Sequence, residues 1–168
     1  MKKITKNSIS LAGEFAVLSR LALLGYDANM TLGHTKSVDI LVSHPETGKM
    51  FKLEVKTKYA PFKTVNSQIF GQVYWWTMNE KHELIKDPNL YYCFVILSNK
   101  NYQQKFFIVP SSIVADYVKR EHAYWLKVDL NHNENNMRQF RLAVEDGKYP
   151  IETPKAKDYE DNWEFKTK

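Results

Sequence analysis

Apolar and charged residues alternate in two short segments joined by turn-forming residues. Valine and isoleucine occupy every second position over 38–42, and phenylalanine, leucine and valine do so over 51–56. Side chains along a strand point alternately to its two faces, so each segment has one apolar face. The intervening residues 44–49 include Pro45 and Gly48, which are typical of a turn. The pattern predicts a hairpin whose two apolar faces share one core.

The length of this turn decides which residues face each other across the hairpin. A four-residue loop over 45–48 places Asp39 opposite Glu54, whereas a two-residue loop over 47–48 places Asp39 opposite Lys56. In either case Asp39, Glu54 and Lys56 lie on the face away from the core, because a slip of one residue would reverse every side chain. The sequence leaves the loop length open but predicts that the three charged residues lie on one face of the hairpin.

Two carboxylates and an ammonium on neighbouring strands suit a site that binds a divalent cation. Mg²⁺ prefers oxygen ligands and keeps several waters, so two carboxylates and substrate phosphate oxygens form a sufficient shell. A cross-strand salt bridge on a solvated face would use the same residues and contribute at most about 1 kcal/mol. The three residues by themselves do not separate the two interpretations.

A helix is predicted over 10–25, with Ser8 or Ser10 as its cap and Gly25 at its end. Apolar side chains at helical spacing predict its buried stripe: Leu11, Phe15, Leu18 and Ala22. Glu14 projects beside this stripe. An unpaired buried carboxylate costs several kcal/mol, so Glu14 needs a cation, a metal ion or hydrogen bonds, or it reaches solvent at the helix boundary.

A second helix is predicted over 67–78, with Ser67 as its cap. Gln68 and Gln72 would then lie one turn apart, as accessory site residues or on a solvated face. Trp75 and Trp76 would belong to the core or stack on bases.

The later segments predict a sheet, a helix and a C-terminal addition. The apolar run 90–98 predicts a strand buried on both faces, paired in a hairpin with 105–109. Pro110 opens a helix to about residue 120. The remaining expectations are short strands over 125–130 and 139–142 around a polar loop at 131–136, and either a docked terminal helix over 158–165 that carries Tyr159 and Trp163 or a loose tail.

Length and composition favour one domain over residues 1–168, with 150–168 as an arm or docked helix. Cys93 is the only cysteine, which excludes an internal disulfide and a cysteine metal cluster, and its apolar strand predicts a small core residue. The histidines lack zinc-site spacing and are expected at the surface or in turns: His34, His44, His82, His122 and His132. With no signal-peptide core and no apolar run of about 20 residues, a cytoplasmic protein without a membrane span is expected.

The net charge of +5 and the isoelectric point of about 9.1 suit a polyanionic partner without establishing one. Basic residues concentrate around the proposed site, where they would contact phosphates without reading bases. The candidates for nucleic-acid binding are Lys36, Ser37, Lys49, Lys52, Lys58 and Lys63. An ordinary soluble surface would explain the more distant lysines equally well.

Together, Gly13-Glu14, Val38-Asp39 and the run 54–58 resemble the PD-(D/E)XK nuclease superfamily, in particular the small archaeal Holliday-junction resolvases and short endonuclease-like proteins. The resemblance spans about the first half of the chain, and Val38 stands where the motif commonly has proline. It implies an α/β, restriction-endonuclease-like three-layer core in the order helix, three strands, helix, strand, with a mixed central sheet and C-terminal additions.

The resemblance further implies that Glu14, Asp39, Glu54 and the Val55 carbonyl bind Mg²⁺ or Mn²⁺, while Lys56 orients the attacking water. The implied function is a metal-dependent endonuclease that acts on DNA more readily than on RNA, with a homodimer as the common assembly. Two alternatives stay open: a noncatalytic nucleic-acid-binding module that has kept the fold, and a small structural partner with an incidental carboxylate cluster.

Overall fold

The structure is a computed structural model that describes residues 4–31, 38–129, 133–144 and 149–165. Along these ranges the elements are α1 (Lys6–Leu23), β1 (Asp27–Met30), β2 (Ile40–Ser43), β3 (Met50–Tyr59), β4 (Val65–Ser67), β5 (Gly71–Asn79), a 3₁₀ helix (Glu80–Leu84), β6 (Leu90–Leu97), β7 (Gln104–Pro110), α2 (Ser111–Val128), β8 (Met137–Ala143) and α3 (Ala156–Tyr159).

Five of the described strands form a mixed sheet in the order β1-β2-β3-β6-β7, and β4, β5 and β8 form a second sheet. The β3–β6 pair is parallel and the other pairs are antiparallel. Helix α1 covers one face of the larger sheet, while α2 and the second sheet cover the other. Strand β6 lies between these layers and is buried on both faces, as its apolar sequence predicts, and Cys93 is fully buried within it.

The β2–β3 hairpin has the four-residue loop. Ile40 pairs with Leu53 and Val42 with Phe51, and the His44 amide donates to the Lys49 carbonyl at 2.9 Å. The two-residue alternative is therefore wrong. The alternating apolar residues of both strands are buried in one cluster, and the strand positions between them face the other way.

Helix α1 begins earlier than predicted because Thr5, and neither Ser8 nor Ser10, caps it. The Thr5 hydroxyl oxygen accepts a hydrogen bond from the Ser8 amide at 3.1 Å, which satisfies one of the free N–H groups of the first turn. At the other end, Gly25 has φ +83°, the left-handed conformation expected after a helix.

The predicted buried stripe of α1 is wrong for Leu11, which is 45% exposed, for Phe15, which is 55% exposed, and for Ala22, which is also exposed. Leu18 is partly buried and packs against the core. The buried residues lie on the neighbouring, smaller arc: Gly13, Ala16, Val17 and Leu21. Small side chains there let the helix backbone approach β3, and a Cβ on Gly13 would lie 1.8 Å from the Thr57 hydroxyl oxygen. Close packing against the sheet, and not the number of apolar atoms, selects the buried arc.

The helix predicted over 67–78 is wrong, since this segment forms the end of β4, a turn and most of β5. Valine, tryptophan and threonine favour extended backbone, and Gly71 has φ +69° at the start of β5. Strand β8 pairs with β5 from Val73↔Ala143 to Asn79↔Met137, a partner that is distant in sequence. The connection between parallel strands β3 and β6 therefore runs through β4, β5 and the 3₁₀ helix.

Helix α2 starts after Pro110, as predicted, but continues to Val128, so the strand predicted over 125–130 is wrong. Its later turns contain Glu121 and His122, which are buried polar residues that interrupt the apolar pattern. Both have partners: Arg141 of β8 binds Glu121, and Glu134 lies 2.6 Å from His122. Strand β8 confirms the strand predicted over 139–142, and no described helix is long and apolar enough to cross a bilayer.

The C-terminal segment is docked, although not as the helix predicted over 158–165. Helix α3 ends at Tyr159, and Asp161 and Phe165 have φ values of +51° and +50°, which no right-handed helix accommodates. Trp163 and Phe165 pack into the core on the α1 side of the sheet. The Tyr26 hydroxyl donates to the Trp163 carbonyl at 2.8 Å, which anchors the segment to the residues between α1 and β1.

The contact at Gly13 generates a stability prediction. From helix propensity alone, Gly13→Ala would raise the free energy of unfolding by about 0.5–1 kcal/mol. The collision of the added Cβ with Thr57 instead predicts that this free energy falls by about 1–3 kcal/mol. We expect the loss in urea unfolding, with partial recovery in Gly13→Ala/Thr57→Ala and little effect of Ser19→Ala on the exposed face. Equal or greater stability of Gly13→Ala would contradict the close approach.

Candidate active site

Glu54 is the central acidic residue of the site. Strand β3 places its side chain on the face opposite Leu53 and Val55, where it is only 4% exposed. Its Oε1 atom lies 2.5 Å from the Lys56 ammonium, which shares this face. Its Oε2 atom is buried and has no hydrogen-bond partner among the described residues. A buried carboxylate oxygen without a partner is unfavourable, so this atom is ready to accept a cation or a donor.

Asp39 precedes β2 and extends the register of the hairpin to a position opposite Glu54. Its Oδ2 atom accepts a hydrogen bond from the Val55 amide at 2.7 Å. Because the N–H and C=O groups of one strand residue point to the same edge, the Val55 carbonyl faces the edge where Asp39 lies. Burial raises the pKa of Asp39, the Val55 N–H opposes this, and the negative charge of Glu54 raises the pKa further.

Glu14 reaches the same region from α1. The Ser10 hydroxyl donates to its Oε1 atom at 3.3 Å. Burial raises the pKa of Glu14, and so does the charge of Asp39, while Ser10 and the Lys56 ammonium lower it. The charges of Asp39 and Lys56 therefore both act on the Glu14 carboxyl. The close contact of the preceding residue, Gly13, with β3 explains how the helix brings its carboxylate there.

His82, from the 3₁₀ helix, lies behind Glu54. Its Nε2 atom is 4.0 Å from Glu54 Oε1, and its Nδ1 atom is 2.7 Å from the Tyr92 hydroxyl. Burial lowers the pKa of His82 to about 4, so the imidazole is neutral at neutral pH. With the proton on Nε2, Tyr92 donates to Nδ1 and the imidazole N–H faces the carboxylate.

The expectation that the histidines lie at the surface or in turns is wrong for His82 and His122, which are both buried. His44 does lie in the hairpin turn, where its ring accepts from the Glu46 and Thr47 amides. Sequence reasoning also missed Lys81, whose charge acts on Asp39. Neither Lys81 nor His82 carries a motif, and their place beside the site depends on where the 3₁₀ helix packs.

The donor chemistry fits a hard divalent cation, although within the described residues no three acidic, histidine or cysteine side chains form a ready metal cluster. Mg²⁺ is commonly held by one or two carboxylates, with water and phosphate oxygens completing the shell. Asp39 and Glu54 supply two carboxylates, and the Val55 carbonyl faces the same edge. The partnerless buried oxygen of Glu54 is the structural observation that supports this fit.

The other predicted residues do not all converge on the site. Lys52 is paired with Asp87 at 2.9 Å, and Lys49 lies 5.1 Å from the ring centre of Phe51, whose side chain belongs to the core on the opposite face. Lys58 continues the face of Glu54 and Lys56 along β3 and contacts Trp75. Lys63 lies in the connection between β3 and β4. Lys36 and Ser37 fall outside the described residues.

Gln68 and Gln72 were predicted as accessory site residues one turn apart on a helix, but their segment forms a turn and a strand. Gln68 lies in the turn between β4 and β5. Gln72 lies on β5, where its side-chain amide donates to the Thr64 hydroxyl at 2.8 Å. Gln72 therefore has a hydrogen-bond partner within the connection between β3 and β6.

The contact between His82 and Tyr92 generates a second prediction. His82→Leu should lower the free energy of unfolding by about 1–3 kcal/mol, because it leaves a buried hydroxyl without its partner. Tyr92→Phe removes that hydroxyl, so His82→Leu should lower the free energy of unfolding by less in the Tyr92→Phe background than in the wild-type protein. Urea unfolding of the four proteins in a double-mutant cycle gives the coupling. Strictly additive losses would contradict a shared hydrogen bond.

Comparisons with known proteins support the fold. No family model matches the chain, and no curated protein matches it in sequence. The bacterial homing endonuclease I-Ssp6803I is structurally similar, with a TM-score of 0.51 and 15% identity over 96% of this chain and 90% of that one. The Holliday junction resolvase Hjc of Archaeoglobus fulgidus aligns with a TM-score of 0.41 and 9% identity over 78% of this chain and 82% of that one. The chain has a restriction-endonuclease-like fold.

Proposed function

We propose that this protein is a metal-dependent endonuclease that hydrolyses phosphodiester bonds, with DNA as the preferred substrate. One observation carries the proposal: Glu54, with its partnerless buried oxygen, lies beside Lys56 and opposite Asp39, on the face of β3 opposite Leu53 and Val55. The shared fold of a homing endonuclease agrees with this chemistry. The fold alone does not establish it, because one fold hosts many functions.

The residues divide into ion-binding and substrate-positioning groups. Asp39, Glu54 and the Val55 carbonyl would hold Mg²⁺ or Mn²⁺, and Glu14 would add a carboxylate from α1. When bound, such an ion supplies Lewis-acid chemistry that polarises a phosphodiester and makes water a stronger nucleophile. Lys56 keeps its ammonium at Glu54, where it can hold the attacking water or neutralise charge on the phosphate.

Neutral His82 would face Glu54 from behind the site without adding a positive charge. Basic residues outside the carboxylate group, including Lys58 and Lys81, would contact the phosphate backbone. Such contacts position a nucleic acid without reading its sequence. The proposed preference for DNA rests on the structural similarity to a homing endonuclease.

A noncatalytic nucleic-acid-binding module is the second candidate. It is favoured by one observation, namely that the carboxylates of the described residues do not form a cluster of three potential metal ligands. Such a protein would bind polyanions through its lysines and would show no metal-dependent turnover. The two candidates therefore differ in their response to divalent ions.

The metal response is the first test of the proposed function. Mn²⁺ at one hundred times its dissociation constant should stabilise the wild-type protein by about 2.7 kcal/mol, which corresponds to roughly 5–10 °C in a thermal melt. Asp39→Asn and Glu54→Gln should lose most of this shift, whereas Asp116→Asn on the exposed side of α2 should keep it. A wild-type protein that melts at the same temperature with and without Mn²⁺ would refute the metal site.

Cleavage is the second test. The wild-type protein should cut DNA in Mg²⁺ or Mn²⁺, and Glu54→Gln and Lys56→Met should lower the rate by about 100-fold or more, since several kcal/mol of transition-state stabilisation are removed. The substrates are single-stranded, duplex, flapped and four-way DNA, together with RNA. Unchanged circular dichroism would show that the variants remain folded. Binding without cleavage on every substrate would favour the noncatalytic module.

A further inference from the structure

A recess beside the proposed active site lies between the two sheets. It has a volume of about 220 Å³, is open to solvent and is lined by Lys56, Thr57, Lys58, Trp75, Trp76 and Thr77. Lys56 forms part of both the recess and the group around Glu54. A ligand in the recess would therefore adjoin the reacting phosphate.

Lys58 is the cation of this recess. It lies two residues beyond Lys56 on β3 and shares its face, and its ammonium is 4.3 Å from the ring centre of Trp75. Within the described residues it makes no ion pair, in contrast to Lys52 and Lys56. Burial lowers the pKa of Lys58, and no carboxylate offsets this effect. The Lys58 ammonium contacts an aromatic ring, so its positive charge can bind a phosphate.

Trp75 and Trp76 have different environments. Trp76 is buried and donates from its indole N–H to the Val95 carbonyl at 3.3 Å, so it belongs to the core. Trp75 is only half-buried, and its ring contacts the Lys58 ammonium. A partly exposed indole beside a cation is a common platform for nucleobases in proteins that bind single strands.

We propose that Lys58 and Trp75 bind the nucleotide next to the scissile phosphate, with the ammonium on its phosphate and the indole stacked on its base. The inference rests on the proposed function for the position of the cut. The lysine stem is flexible, so the ammonium can turn from the ring to a phosphate and leave the indole face to the base.

This subsite specifies a substrate class. In an intact duplex each base is already stacked on its neighbours and paired, so removing it costs a few kcal/mol. A base in a single strand, a flap or a frayed end meets Trp75 without that cost. The preferred substrate is therefore a nucleic acid that has an unpaired nucleotide beside the cleaved bond.

The test measures binding without cleavage, using fluorescence anisotropy in EDTA with a labelled single strand and a duplex of the same sequence. We expect the wild-type protein to prefer the single strand. Trp75→Leu should weaken single-strand binding by about 5- to 150-fold, the range of base stacking on an aromatic side chain. Trp75→Phe, which keeps an aromatic face, should retain most of the affinity. The matched control is Tyr102→Leu, which removes a 93% exposed ring in the β6–β7 turn, outside the recess.

Lys58→Met provides an independent test, since it keeps the length of the stem and removes the charge. It should reduce the slope of log affinity against log salt concentration by about 0.7 on the single strand, the value for one phosphate contact. Lys58→Arg should keep the slope, and Lys100→Met, in the same exposed turn as Tyr102, should leave it unchanged.

Equal affinity of the wild-type protein for single strand and duplex would overturn the proposal, as would unchanged single-strand binding in both Trp75→Leu and Lys58→Met. Lower single-strand affinity in these variants, with normal binding by Tyr102→Leu and Lys100→Met, would support it. If Trp75→Leu fails to fold, the single-strand affinity of Trp75→Phe and the salt slope of Lys58→Met decide whether the proposal holds. A wild-type protein that prefers single strands but never cuts DNA would refute the nuclease proposal and leave this subsite standing.

Discussion

The register of the β2–β3 hairpin is the constraint on which the rest of the structure depends. The four-residue turn fixes the Ile40–Leu53 pair, and strand alternation then sends the apolar side chains of both strands to the core under α1. The same alternation sends Glu54 and Lys56 to the other face. A shift of one residue would move Glu54 into an apolar cluster, where an unpaired carboxylate costs several kcal/mol. Stability of the core and placement of the acidic group are thus set by one register.

Close packing of α1 sets the position of Glu14. The helix buries its small-residue arc, with Gly13 against Thr57 on β3, and this approach brings Glu14 into the field of Asp39. The raised pKa values of Glu14 and Asp39 reflect partial burial together with nearby negative charge. A site of this kind is electrostatically unfavourable until a cation or donors compensate it.

The second sheet distinguishes this chain from a simple helix–strand version of the fold. Because β4 and β5 occupy the connection between β3 and β6, an aromatic strand lies beside the face of β3 that carries Glu54 and Lys56, where a helix was expected. Trp76 points into the core and Trp75 borders the recess next to Lys56. The larger sheet therefore carries Glu54 and Lys56, while the second sheet supplies one wall of the recess.

The sequence by itself determined the β2–β3 hairpin and its faces, the buried strand β6 with its partner β7, the start of α2 and strand β8. These features depend on neighbouring residues, whose alternation and turn chemistry act locally. Only the tertiary structure decided the buried arc of α1, the strand conformation of 71–78 and the position of His82 behind Glu54. Each depends on a partner distant along the chain: β3 for the helix, β8 for β5 and Tyr92 for the histidine. Packing against such partners overrides local propensity, because burial and pairing contribute more free energy than helical or strand preference.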